Sequence, residues 1–160
     1  MMKKEALLAI LRIALGLIFL WAFFDKTVGL GFATAPEKAW LNGGSPTYGF
    51  LSGVKGPLAT FYNALAGQGW VDVLFMLGLL GIGLALVLGI GITVAAYSGG
   101  LLMILMWSAS LPIKTNPIID DHIIYLILLF VLARFNAGHY YGFGKQWSKT
   151  KIVKTYPVLE

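Results

Sequence analysis

The sequence predicts an all-α fold, an integral membrane four-helix bundle with a long extracytoplasmic loop between helices 1 and 2. Hydrophobic residues make up 58% of the 160-residue chain and charged residues only 12%, and the mean hydropathy is +0.80. So few polar residues do not cover a water-soluble surface of this size, and lipid must therefore cover part of it. The length suits a single domain, residues 1–160.

Four apolar segments are long enough to cross a bilayer. The first, residues 6–24, would rise about 28 Å, close to the thickness of the hydrocarbon core. Lys3 and Lys4 before it are also typical of a signal peptide, but Arg12 interrupts the apolar run and the small-residue site at 33–35 lies well beyond it. The other predicted spans are residues 71–90, 93–111 and 117–141.

Small residues mark the helix contacts that we expect. Gly81, Ala85 and Gly89 are spaced four apart and should face another helix, and Gly89 with Gly91 predicts a tight turn before the third span. Ala96 and Gly100 extend the small face. In the fourth span we expect Asn116 as N-cap and Pro117 as the first helical residue, giving a helix of about 37 Å that protrudes or tilts.

The segment 25–70 is rich in Gly, Pro and aromatic residues and predicts the external loop, with short helices at 36–41 and 57–66. Loops of this length often form lids or binding surfaces. The basic residues near the chain ends are dense, and those on the opposite face are diluted, which predicts cytoplasmic termini in a plasma-membrane protein. The dense set is Lys3, Lys4, Lys145, Lys149, Lys151 and Lys154; the diluted set is Lys26, Lys38, Lys55 and Lys114. These residues form no amphipathic or aromatic-interleaved patch, so nucleic acid is not an expected partner.

Charged residues gather at the predicted outer ends of the helices and could converge there, although acids in a first helical turn also suit the helix dipole. His122, Asp121 and Tyr125 share one face of the fourth helix and offer a base, a carboxylate and a phenol for proton exchange. A metal site formed by Asp25, Asp120, Asp121 and His122 matches no ligand spacing, and no metal is predicted.

Arg12 and Arg134 lie at similar depths inside the predicted cytoplasmic ends of their helices. Their partners are lipid phosphates reached by snorkelling, backbone carbonyls, or a bound anion or polar head group. No iron–sulfur cluster is expected in a chain without cysteine. His122 and His139 are about 25 Å apart on one predicted helix, which excludes a shared haem.

Four strings in this order resemble the DoxX/DoxD family of small four-helix membrane proteins: LRIALGLIFLWAFFDK, KAWLNGGSPTYGFL, LFMLGLLGIGLALVLG and NPIIDDHIIYLILL. The resemblance covers nearly the whole chain. It implies a membrane subunit of a quinone-linked oxidoreductase, with thiosulfate oxidised to tetrathionate as quinone is reduced. Because the chain has no thiol, flavin motif or haem pair of its own, this chemistry would need a partner subunit or direct transfer within a noncovalent site. We expect a partner subunit or a homo-oligomer.

In this hypothesis the quinone, the expected bound substrate, lies among the helices in the lipid. His122 and Asp121 exchange protons, while Tyr125 and Asn116 hydrogen-bond the head group. The remaining predicted contacts are Lys26, which attracts an anionic donor, its neighbour Asp25, and the apolar walls Trp21 and Trp107. The alternative is a noncatalytic membrane scaffold, or a lipid- or isoprenoid-binding subunit of a larger respiratory assembly.

Overall fold

The structure, a computed structural model, describes residues 3–113 and 116–160. Within these ranges the chain is helical and contains no strand. Lys114, one of the diluted basic residues, lies outside them. The α-helices of the described ranges are α1 (Lys4–Val28), α2 (Tyr48–Ser52), α3 (Ala59–Leu65), α4 (Gly69–Leu88), α5 (Ile92–Ala109), α6 (Asp121–Arg134), α7 (Gly144–Trp147) and α8 (Lys151–Thr155).

Three of these helices, α1, α4 and α5, are long and apolar enough to cross a membrane. They correspond to the first three predicted spans, with ends that differ by no more than a turn of helix. Many of their large apolar side chains are exposed, among them Leu17, Leu74 and Leu101. Exposed apolar surface on helices of this length is typical of a membrane protein.

The predicted start of the fourth helix at Pro117 is wrong, because α6 begins at Asp121. Asp120 is its N-cap and accepts hydrogen bonds from the backbone N–H groups two and three residues further on, at 3.1 and 3.3 Å. Asn116, the expected cap, instead accepts two backbone N–H bonds of 2.9 Å within a turn that precedes the helix. Both residues have the side chain of a cap, and the one nearer the apolar run is used.

The predicted end at Tyr141 is also wrong, because α6 ends at Arg134. Asn136 adopts the left-handed conformation with φ of 47°, which stops an α-helix. A 3₁₀ turn, Ala137–His139, follows directly. With 14 residues, α6 rises about 21 Å, less than the roughly 30 Å of a hydrocarbon core.

The long helices pack as two antiparallel pairs, α1 with α4 and α5 with α6. A β-carbon placed on Gly16 of α1 would lie 2.9 Å from Cβ of Leu86, and one on Gly83 of α4 would lie 2.7 Å from Cγ of Leu20. Gly81, predicted to face a helix, has no atom within 4 Å of that position and is exposed. That part of the prediction is wrong, since Gly83 makes the close approach.

The second pair is also built on small residues. A β-carbon on Gly99 would lie 2.8 Å from Cδ1 of Leu129, and one on Gly100 would meet Phe130 at 3.0 Å. Ala96, on the same helix, is buried. The predicted tight turn between α4 and α5 is confirmed, with Gly89 at φ 76° and Gly91 at φ 61°.

The segment between α1 and α4 is a folded structure with its own contacts. The predicted helix at 36–41 is instead a pair of 3₁₀ turns, Pro36–Lys38 and Trp40–Asn42, whereas α3 lies inside the predicted 57–66. Helix α2 was not predicted. Tyr62 of α3 is buried, and its hydroxyl donates to the carbonyl of Leu105 in α5 at 3.0 Å. This contact ties the segment to the end of α5.

Candidate functional site

The first turn of α6 carries a histidine held by a carboxylate. Nδ1 of His122 lies 2.8 Å from Oδ2 of Asp120 and 3.8 Å from Oδ1 of Asp121. The side chain of His122 is 17% exposed and that of Asp120 is 11% exposed, whereas that of Asp121 is 70% exposed. Asp120 is therefore the direct partner of the imidazole, and the predicted partner Asp121 lies further out, in contact with solvent.

The electrostatics of Asp120 fix the direction of this hydrogen bond. Its Oδ1 accepts the backbone N–H groups of His122 and Ile123, and hydrogen bonds of this kind favour the charged form of a carboxyl group. Near neutral pH Asp120 is thus a carboxylate and accepts hydrogen bonds. Nδ1 of His122 must then be the donor, which leaves Nε2 of a neutral imidazole as the basic atom.

Three other predicted site residues, Trp107, Asn116 and Tyr125, lie near this pair in the sequence or the structure and differ in their contacts. The indole N–H of Trp107 donates to the carbonyl of Ile118 at 2.8 Å, so Trp107 holds the segment before α6 and is not a purely apolar wall. The side-chain oxygen of Asn116 is occupied by backbone N–H groups. Tyr125 is half-buried against the helix core, and its hydroxyl makes no hydrogen bond within the described ranges.

In the last turn of α1, the side chain of Asp25 holds the loop that follows the helix. Its side chain is buried, and its carboxylate accepts the backbone N–H groups of Phe32 and Ala33 at 3.3 and 3.1 Å. Trp21 is half-exposed and packs edge-to-face on Phe32, with ring centroids 5.0 Å apart. In the described part of the chain, no hydrogen bond or ion pair joins Asp25 or Lys26 to the His122 group.

Asp72 in the first turn of α4 has the same role for another part of the loop. It is buried and accepts hydrogen bonds from the hydroxyls of Ser45 and Thr47, at 2.9 and 2.6 Å, and from the Thr47 backbone N–H at 3.1 Å. The sequence signal was present as a Ser-Pro-Thr turn and an acid in the first turn of a helix, but the pairing of segments 25 residues apart was missed.

Asp120, Asp121 and His122 are the group of described side chains that comes nearest to a metal site, with one ligand atom of each within 4.8 Å of the others. Asp25 is not part of it. The imidazole nitrogen that faces this group is Nδ1, which is already hydrogen-bonded to Asp120. The other two ligand atoms would come from the carboxylates of two consecutive residues, Asp120 and Asp121. The arrangement favours a hydrogen-bonded acid–base pair.

Arg12 lies at the opposite end of the long helices and is fully buried. One guanidinium nitrogen donates to the carbonyls of Leu86 and, at 2.9 Å, Val87 at the end of α4; the other donates to the carbonyls of Tyr140 and Tyr141, each at 3.1 Å. Of the partners left open by the sequence, backbone carbonyls hold Arg12. Nε, also buried, has no partner.

Glycines line the pocket that receives this guanidinium, and their role was missed in the sequence. A β-carbon on Gly142 would lie 2.9 Å from Nη2 of Arg12, and one on Gly89 would lie 3.1 Å from Nη1. Gly138 and Gly89 also leave no space for a β-carbon between their backbones. Arg134, by contrast, is exposed, so the two arginines at similar sequence depth have different surroundings.

Comparison of the chain with protein-family models, with curated proteins and with solved structures finds no match.

Proposed function

We propose that this protein is a multi-pass plasma-membrane subunit of a quinone-linked oxidoreductase of the DoxX/DoxD kind, with four spans and cytoplasmic termini. The position of Arg12 supports the number of spans. It joins the first turns of α1 to the segment that follows α6, so the two ends of the chain lie on one side. An odd number of crossings would separate them. The contact thus supports an even number of crossings, and in the proposal α6 with its flanks provides the fourth.

The hydrogen-bonded pair of His122 and Asp120 supports the chemical part of the proposal. Its bond of 2.8 Å orients the ring and leaves Nε2 as a base in the first turn of a helix whose neighbouring residues, Ile118 and Ile119, are exposed and apolar. A quinone head group in the membrane reaches such a position from the lipid. In the proposal Asp120 orients the imidazole, and exposed Asp121 relays protons between His122 and water.

The reaction must balance protons and electrons. Two thiosulfate ions joined as one tetrathionate release two electrons, and a quinone takes up two electrons and two protons to become a quinol. His122 supplies protons to the quinone oxygen, and the free hydroxyl of Tyr125 hydrogen-bonds the head group. Lys26 and Asp25 at the end of α1, with Trp21, border the approach of the anionic donor. With no cysteine in the chain, electrons pass directly between bound substrates or through a partner subunit.

The test is thiosulfate-dependent quinone reduction by the purified protein with its native partners. We expect His122→Ala to slow the rate by about tenfold or more, the usual range for a lost acid–base group. Asp120→Asn keeps the helix cap but removes the charge that orients His122, and we expect this variant to reduce quinone more slowly as well. His139→Ala, at the other end of the protein, should retain activity.

Equal small effects at both histidines would exclude the proposed role of His122. No thiosulfate-dependent reduction by the wild-type assembly would exclude thiosulfate as the donor.

A noncatalytic scaffold or isoprenoid-binding subunit is the second candidate, favoured by the structural use of Asp25 and Asp72. Their carboxylates are occupied in holding the loop, which leaves fewer outer charges for catalysis. Extraction of a gently solubilised sample followed by mass spectrometry separates the two functions. Retained quinone would support the oxidoreductase, and its absence would favour the scaffold.

A further inference from the structure

A groove of about 530 Å³ lies on the exposed face of the helices, between α5 and α6. Its lining is apolar along most of its length and ends at one charged residue. It is lined by Ile104, Leu126, Ile127, Phe130, Val131, Arg134 and Phe135. Ile104, Ile127 and Phe130 are between 40% and 54% exposed, so the helix core does not cover this surface.

The groove has the length of one lipid leaflet. From Leu126 to Arg134 the axis of α6 rises about 12 Å, close to half of the roughly 30 Å hydrocarbon core. The groove runs along α6 from its middle to its C-terminal end, with Ile104 of α5 on its other side. A hydrocarbon chain lying in it would therefore have its polar end at Arg134.

Two cations meet at that end. Arg134, in the last turn of α6, is exposed and makes no hydrogen bond or ion pair with the described residues. Lys4, at the start of α1, places Nζ 4.5 Å from the centroid of the Phe135 ring, which itself lines the groove. No carboxylate pairs with either cation in the described ranges. The apolar groove is thus closed by unneutralised positive charge.

We infer that this groove is a binding site for an anionic phospholipid, with an acyl chain along α5 and α6 and the phosphate at Arg134 and Lys4. An anionic head group matches the charge, whereas a zwitterionic lipid carries its own cation beside the phosphate. A quinone brings an uncharged head group and leaves both cations without a partner. Arg12 does not compete for the phosphate, because backbone carbonyls occupy its guanidinium.

The site is independent of quinone chemistry, since it lies at the end of α6 opposite to His122. Loss of lipid binding would leave the His122 proposal intact, and loss of quinone reduction would leave this one intact.

Native mass spectrometry of the full chain in detergent tests the inference by titration with dioleoyl phosphatidylglycerol and dioleoyl phosphatidylcholine, which share their acyl chains. We expect the wild-type protein to prefer phosphatidylglycerol. Arg134→Gln should weaken phosphatidylglycerol binding about fivefold, the factor that corresponds to about 1 kcal/mol for one basic residue near an anionic lipid. Binding of phosphatidylcholine should change little. Lys149→Gln, which removes an exposed charge away from the groove, should behave as wild type.

A second arm tests the groove itself. Ile127→Trp adds bulk to an exposed groove residue and should weaken both lipids, while free glycerol phosphate should not compete with phosphatidylglycerol. Equal affinity for the two lipids, or equal effects of Arg134→Gln and Lys149→Gln, would overturn the inference. Competition by glycerol phosphate would reduce the site to a phosphate site without an acyl groove. A dimer that dissociates in Ile127→Trp would identify the groove as a contact between two copies.

Discussion

At the scale of single residues, Arg12 is a buried charge that has no carboxylate partner among the residues that the structure describes. Burying a charge costs free energy unless the charge is hydrogen-bonded, and here four backbone carbonyls accept hydrogen bonds from the guanidinium. Two of them, at Leu86 and Val87, belong to the last turn of α4, where the helix dipole and the unpaired carbonyls favour a cation. The guanidinium therefore acts as a C-terminal cap for one helix supplied by another.

We predict that Arg12→Met lowers the melting temperature in detergent by about 6 °C or more. The substitution keeps a long apolar side chain but leaves buried carbonyls without a donor, which costs about 3 kcal/mol in total, and each kcal/mol shifts the midpoint by about 2–4 °C at this chain length. Arg12→Lys should not restore stability, because an ammonium group lacks the planar fork that reaches both pairs of carbonyls.

Arg134→Met is the matched control and should melt within about 2 °C of wild type, since that side chain is exposed. Equal shifts for the two arginine variants would contradict the capping role. Thermal unfolding followed by tryptophan fluorescence measures both.

The same contacts show what a sequence tells about single residues. Arg12 and His122 can be recognised as unusual from the sequence, because one is a charge inside an apolar segment and the other is a single histidine near the start of a helix. The sequence did not choose among the partners of Arg12, since the carbonyl groups belong to every residue and give no compositional signal. Asp121 was preferred over Asp120 on helical spacing, but Asp120 precedes the helix, where that spacing does not hold.

At the scale of helices, α1 and α4 approach closely at two glycines, Gly16 of α1 against Leu86 and Gly83 of α4 against Leu20. The predicted face, Gly81 with Ala85, was chosen by its four-residue spacing. Helix α4 is apolar on all sides, so its sequence carries little information about which side meets protein and which meets lipid. The end of α6 was misjudged for a different reason, since Asn136 is compatible with a helix by composition and stops it by conformation.

We predict that Gly83→Ala destabilises the protein while Gly81→Ala does not. A β-carbon on Gly83 falls 2.7 Å from Cγ and 3.1 Å from the backbone nitrogen of Leu20, so either the side chain or the helix must move. Such overpacking costs about 1–3 kcal/mol. At Gly81 there is open space, and alanine should be neutral or slightly stabilising through its helix propensity.

Melting temperatures of the two single variants in one detergent give the comparison. A larger loss for Gly81→Ala than for Gly83→Ala would mean that the pairing of α1 and α4 is wrong.

At the scale of the whole molecule, the helical class and the first three long helices follow from hydropathy alone. The folded segment between α1 and α4 does not, because buried acids such as Asp25 and Asp72 hold it through contacts between distant parts of the chain. Those contacts convert a stretch that looks like a loop into a small cap with helices α2 and α3. The basic residues that flank the two ends of the chain predict on which side of the membrane this cap lies.

We predict that the cap is outside the cell and both termini are inside. A single cysteine at Ser52, which is exposed, should react with a membrane-impermeant maleimide in intact cells, whereas one at Lys149 should react only after permeabilisation. The cysteine-free background makes each label unambiguous. Ser45 is less suitable because its hydroxyl holds Asp72. Labelling of Lys149→Cys and not Ser52→Cys in intact cells would reverse the orientation.

The carbonyl cradle of Arg12 also bears on how the chain is made. Arg12 and Tyr140 are separated by 128 residues in the sequence. At translation speeds of about 5–20 residues per second, Tyr140 is therefore synthesised about 6 to 26 s after Arg12. The carbonyls of α4 are synthesised in the meantime and provide the first acceptors. We therefore expect α1 and α4 to pair early during synthesis, with Arg12 bonded to only two of its four carbonyls. Arrival of the glycine-rich segment after α6 provides the other two carbonyls and closes the fold.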